Sequence, residues 1–273
     1  MLAIVTDSSA YLSKREAHIL GVHVVSMNYT VAGRTYQEQC RGENGNYVSL
    51  LKNAAKPVTS QAPISAYASV FQELVGQGFE VLCIVISSRL SGTFSSACAA
   101  AREVAPEHIH VLDSLSTAGG MYLLVEHARR LAECGLSLSQ VAAVLERRRQ
   151  GIHTAFSVDD MEALRRSGRI GLVRRSFGTI LNLRPILALS DGAIVSQTVA
   201  RGAVQQREAL LGMIPEDASR VLVQYFGEAS EALRLAHRIK AAFPSAGVFL
   251  REAGPILAVH LGSGTLGVTW ECR

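Results

Sequence analysis

Three strand-to-helix junctions of this 273-residue chain are crowded with hydroxyls and glycines: residues 6–9 (TDSS), 87–93 (SSRLSGT) and 113–120 (DSLSTAGG). Side-chain hydroxyls and the free N–H groups at a helix start can satisfy a carboxylate or phosphate and leave it unreacted. Such loops suit an anion cradle. The same residues would also allow catalysis: Asp7 and Asp113 are available as paired acids, and Asp7, Ser91 and His260 would form a hydrolase or phosphoryl-transfer centre if the fold joined them. Carboxylates at strand ends, however, commonly cap loops through backbone N–H groups. No serine is tied by motif to a histidine and a carboxylate, and the Walker lysine, HExxH, calcium-loop and GxSxG patterns are absent. Residues 262–267 (GSGTLG) spell GxGxxG, yet a dinucleotide fingerprint must open a helix inside a βαβ unit with an acidic residue about 20 positions on. The chain ends at Arg273. No catalytic residue and no cofactor is assigned.

A parallel sheet is what would position these junctions. Val81 to Ile86 is a continuous apolar run, an alanine-rich helix follows through Val104, and Ile109 to Leu112 supplies the next strand. Continuous apolar strands separated by helices indicate a parallel sheet covered on both faces, and ligands sit beyond the carboxyl ends of such strands. Leu2 to Val5 reads as another strand, Ser13 with Glu16 as a capping box, His23 to Met27 as a strand, and Gly33 as a hairpin turn. Pro63 opens a helix to about Gly76, and helices over 119–134 and 139–150 close this half. Beyond it the pattern changes. His153 to Val158 reads as a strand, Asp159 with Glu162 as a helix cap, and Ser190-Asp191-Gly192 as the turn of a hairpin between 183–189 and 193–199. A helix to Ile214, a strand over 221–226, a helix over 228–243 and strands over 246–251 and 256–259 complete the chain. The expected fold is α/β in two domains. Residues 1–150 form an N-terminal parallel-sheet α/β/α domain, and residues 151–273 a C-terminal α/β domain with a mixed or largely antiparallel sheet.

Composition narrows the partners. Lys and Arg number 27 against 23 Asp and Glu, a net charge of +4, too small to imply a nucleic acid. Five cysteines without a CxxC support neither a disulfide framework nor a zinc site; Cys83 and Cys98 read as small buried hydrophobes. The chain opens directly on a strand, with no signal-peptide pattern and no apolar stretch of membrane-spanning length. A cytoplasmic protein without stable membrane insertion is expected. Arg165, Arg166, Arg169, Arg174 and Arg175 crowd one glycine-bearing segment.

Taken in order, IVTDSSAYLS at 4–13, TSQ at 59–61, SSRLSGTFSSA at 87–97, VLDSLSTAGG at 111–120, GRI at 168–170 and HLGSGTLGV at 260–268 resemble the DegV family over nearly the whole chain. The resemblance implies a non-catalytic protein that holds a long-chain fatty acid between two domains and presents its carboxylate to a separate fatty acid kinase. By the same resemblance, Thr59, Ser91 and His260 hold the carboxylate, and Arg169 belongs to the head-group rim or the kinase-facing side. Ser60, Gly92, Thr93 and Gly262 belong to the surrounding loops. The sequence departs from the family pattern at Ala62, which precedes Pro63, at Ser263 in place of a proline, and at Gln37-Glu38-Gln39. A bound acyl chain needs apolar walls, for which Phe94, Ile152, Phe156, Ile180 and Leu183 are candidates, although each reads first as core.

Overall fold

A computed structural model describes every residue except 55, 159–160, 170–182 and 273. The first half runs β1 (Leu2–Asp7), α1 (Lys14–Leu20), β2 (Val22–Val25), β3 (Asn28–Val31), β4 (Arg34–Gln37), α2 (Tyr47–Lys52), β5 (Val58–Ser60), α3 (Ile64–Gly76), β6 (Glu80–Val85), α4 (Thr93–Val104), β7 (Ile109–Asp113), α5 (Gly119–Glu133) and α6 (Leu138–Arg148). The second runs β8 (Ile152–Ser157), α7 (Glu162–Arg166), β9 (Leu183–Ser190), β10 (Ala193–Arg201), α8 (Gly202–Leu211), β11 (Ala218–Tyr225), α9 (Ser230–Ala242), β12 (Gly247–Glu252), α10 (Pro255–Leu261) and β13 (Leu266–Cys272). The fold is α/β in two domains, the N-terminal one built on a parallel sheet and the C-terminal one on a mixed sheet.

Four parallel strands in the order β2-β1-β6-β7 form the first sheet. Its central strand shows why the apolar run is continuous. Val81, Cys83 and Val85 face Tyr67 and Phe71 of α3, while Leu82 and Ile84 face Met121 and Leu124 of α5. Alternate residues therefore enter different cores, and neither face tolerates a polar residue. Cys83 is buried as expected, whereas Cys98 is only half-buried. The Ser13–Glu16 capping box forms at the start of α1.

β3, β4 and β5 make a small antiparallel sheet in which Thr59 lies opposite Tyr29. The second large sheet, β10-β9-β8-β13-β11-β12, is antiparallel except for the β11–β12 pair. Asp191 and Gly192 carry φ of 46° and 77° at the β9–β10 turn, the pair of positive values a tight hairpin requires.

Residues 256–259 are a helix, not the strand their apolar run suggests. Pro255 stands at the first turn of α10, where its missing N–H does no harm. The buried Glu38 carboxyl receives the Ile256 N–H at 2.8 Å, and Gly262 stops the helix at φ 83°. α10 packs on α2, β3, β5 and α7. The segment after it enters β13, a central strand that the sequence reading left unassigned, as it did β5. The expected helix cap at Asp159 lies outside the described residues, and α7 begins after Met161.

Candidate functional site

A cavity of about 310 Å³ opens beyond the carboxyl ends of β6 and β7 and runs under one face of the mixed sheet. Its size lies at the lower end of the range for small-molecule pockets, about 300–1,000 Å³. The apolar wall includes Phe156, Leu164, Leu189, Ile194, Phe226 and Leu257. Most come from successive strands of the mixed sheet and the residues next to them, because one strand face presents every second side chain to the same space.

Polar groups gather at one mouth. Thr59 sits on β5 and His260 in the last turn of α10, 201 residues apart, and Thr59 Oγ1 lies 2.7 Å from His260 Nε2. Burial, reinforced by the nearby Arg169 guanidinium, lowers the His260 pKa to about 4, so its ring is neutral at neutral pH. A neutral imidazole has one N–H and threonine one O–H. The shared bond uses one of these protons and leaves the other. When Nε2 carries the ring proton, the free donor is the Thr59 hydroxyl, which lines the cavity.

Ser91 borders the same mouth. Its Oγ accepts the Thr93 N–H at 3.3 Å and lies 2.9 Å from Thr93 Oγ1, which ties it to the start of α4. Gly92 is the residue before that helix, and any Cβ there would overlap the Gln61 amide. The glycine thus lets Gln61 cross the helix start and donate to Ser96 Oγ at 2.7 Å. Arg169 donates through Nε to the Leu90 carbonyl at 3.2 Å and through Nη1 to the Ser167 carbonyl at 2.5 Å. It is half-buried and borders both this cavity and a second hollow of about 280 Å³ lined by Lys56, Arg166 and Ser167.

The family model described as "Uncharacterised protein, DegV family" matches residues 1–273. The chain belongs to the DegV family. Protein DegV of Bacillus subtilis is 31% identical over 281 residues, covering 98% of each chain. A DegV domain-containing protein of Halalkalibacterium halodurans is 30% identical, again over 98% of each. Among solved structures, a fatty-acid-binding DegV family protein from Thermus thermophilus shares 32% identity at a TM-score of 0.90, covering 100% of this chain and 99% of that one. The structure of DegV, a fatty acid binding protein from Bacillus subtilis, shares 28% at 0.89, with the same coverage.

Of the residues singled out by the DegV resemblance, Thr59, Ser60, Ser91, Gly92, Arg169 and His260 all border the one cavity. Thr93 is buried behind Ser91, and Gly262 terminates α10; neither lines the cavity. The acids lie elsewhere. Asp7 is fully buried and accepts the N–H groups of Ser9 (2.9 Å) and Ile86 (2.7 Å). Asp113 accepts those of Ser88 (3.2 Å) and Leu115 (3.0 Å). Both are loop caps, and no hydrogen bond among the described residues joins Asp7 to Ser91 or His260. Of the described candidate wall residues only Phe156 faces the cavity. Phe94 and Ile152 pack in cores, Leu183 starts β9, and Ile180 lies outside the described residues, as do Arg174 and Arg175. The sequence reading missed Leu189 and Ile194, which flank the hairpin turn it had found. It marked Gln61 within TSQ without giving it a role, and it missed Phe226, just past the end of β11.

Proposed function

We propose that the protein is a non-catalytic carrier that holds a long-chain fatty acid in this cavity, its carboxylate against Thr59, His260 and Ser91. The observation that carries the reading is the division of the wall, a long apolar surface with hydroxyls, an imidazole and a guanidinium gathered at one mouth. Burying a methylene contributes about 0.8 kcal/mol in gross terms, less association and ordering costs, so the tail supplies affinity. The mouth supplies orientation, since a buried carboxylate left unpaired costs several kcal/mol. The fatty-acid-binding relatives from Thermus thermophilus and Bacillus subtilis support the same reading. An enzyme would need a base. His260, with a pKa of about 4 and bonded to a threonine in place of Ser91, is poorly matched to proton abstraction at neutral pH.

In this proposal the two domains divide near residue 150, with the ligand between 1–150 and 151–273. The hollow on the far side of Thr59 and His260, with Arg169, Arg166 and Lys56 on its wall, is where a fatty acid kinase would reach the carboxylate and where the phosphorylated product would find cations. Native mass spectrometry of the purified protein tests the carrier reading. A co-purified species of fatty-acid mass is the expected result. An empty protein that neither takes up added long-chain acid nor stays inert in a phosphatase and esterase screen would overturn it.

A further inference from the structure

The cavity has a second polar region, remote from the mouth. Thr154 of β8, Gln224 of β11 and Thr117 in the turn before α5 all line it, and their exposures are only 6%, 8% and 7%. Thr269 of β13, fully buried, stands between the first two. Its Oγ1 receives Gln224 Nε2 at 2.9 Å and lies 2.8 Å from Thr154 Oγ1. The two threonines share one bond, so one of their two hydroxyl protons is left over; in the chain Gln224→Thr269→Thr154 it is the proton of Thr154, which lines the cavity. Cooperative polarisation along such a chain strengthens the terminal donor. Thr117 Oγ1 is likewise buried and has no hydrogen-bond partner among the described residues. Two residues on, a Cβ at Gly119 would overlap the Gln224 amide, so the turn carrying Thr117 sits directly on this cluster.

The strand measures the separation from the mouth. Thr265 donates to the Leu261 carbonyl at 2.9 Å, tying the entry of β13 to the last turn of α10, where His260 resides. Thr269 follows four positions later, roughly 13 Å of extended chain. A bare alkyl tail would leave both hydroxyl protons unpaired in a buried site, an unfavourable arrangement.

We propose that the preferred ligand is a fatty acid bearing an oxygen substituent near mid-chain, a hydroxyl or keto group, whose oxygen accepts the hydroxyl protons of Thr154 and Thr117. This rests on the fatty-acid reading above. The test compares equilibrium binding of stearate, stearate hydroxylated beside the carboxylate and stearate hydroxylated at mid-chain, using wild-type protein, Thr154→Val, Thr154→Ser and Thr117→Val. The mid-chain hydroxy acid is expected to bind wild type about tenfold tighter than stearate. The preference should survive Thr154→Ser and vanish in both valine variants, with stearate binding them at least as well as wild type. Equal affinity of wild type for all three acids overturns the inference and makes an ordered water the partner of the hydroxyls. Failure of every acid to bind overturns the fatty-acid reading itself, a distinguishable result.

Discussion

Replacing Thr59 by valine removes one hydroxyl and almost nothing else. Valine keeps the β-branched shape suited to β5, and Thr59 is only partly buried, so the small antiparallel sheet should persist. What disappears is the 2.7 Å bond to His260 Nε2 and, with it, a donor to the ligand carboxylate. Hydrogen bonds to charged groups contribute about 1.5–3 kcal/mol, and 1.4 kcal/mol is tenfold in affinity. Fatty-acid Kd should therefore rise about 10- to 150-fold. At about 0.8 kcal/mol per methylene, this equals shortening the chain by roughly two to four carbons. Because the mouth and the apolar wall are separate parts of the cavity, the loss should be the same for every chain length. Calorimetric titration of wild type and variant with saturated acids of graded length measures both quantities. A variant that keeps its thermal transition yet binds within twofold of wild type would refute the assignment of Thr59 to the head group. A loss that grows steadily with tail length would refute the division of labour between mouth and wall.

Glu38 predicts a pH dependence of stability. Burial, only partly offset by the Ile256 N–H, pushes its pKa up to about 8 from 4.5, so the folded state holds a proton that the unfolded chain releases. Stability should fall as pH rises from about 4.5 to about 8 and then level off, and Glu38→Gln should be more stable than wild type at about pH 8 but not at about pH 5; parallel thermal melts showing no such divergence would count against it. Gly92→Ala should displace Gln61 and break its bond to Ser96, at a cost of about 1 kcal/mol and with weaker acid binding; unchanged melting and unchanged Kd would show the contact to be dispensable. Arg169→Ala removes a cation that depresses His260, so the imidazole pKa read by NMR should rise while remaining below 6.5, since burial is the larger cause. The same variant should bind fatty acid nearly as wild type but support less acyl-phosphate formation by a cognate kinase; full turnover would remove the partner-facing role.

Local signals that reach only a few residues were legible without coordinates. Ser13 and Glu16 cap a helix because their side chains need only the neighbouring N–H groups. The run 81–86 reads as a strand buried on both faces because every residue in it is apolar. Residues 256–259 were misread for the same reason in reverse. A four-residue apolar run carries no period that separates helix from strand, and the choice was made by Glu38 and by the packing of α10 on four other elements. The proposed head-group set was visible only through family resemblance. Thr59, Ser91, Arg169 and His260 occupy four separate segments, and nothing in their spacing brings a threonine to a histidine 201 residues away. Of the inner cluster the sequence marked only Thr117, inside the hydroxyl-rich junction 113–120. Thr117, Thr154, Gln224 and Thr269 are ordinary polar residues in a turn and on three strands, and they meet because β8, β13 and β11 are neighbours in register with Gly119 set against them. Ile152 and Phe156 make the point for the apolar wall: both are hydrophobic residues of β8, yet one packs in a core and the other faces the cavity. Apolarity is a property of the residue. Which apolar residues face a cavity depends on how the mixed sheet, α10 and the loops after β6 and β7 meet, and that is settled by long-range packing alone.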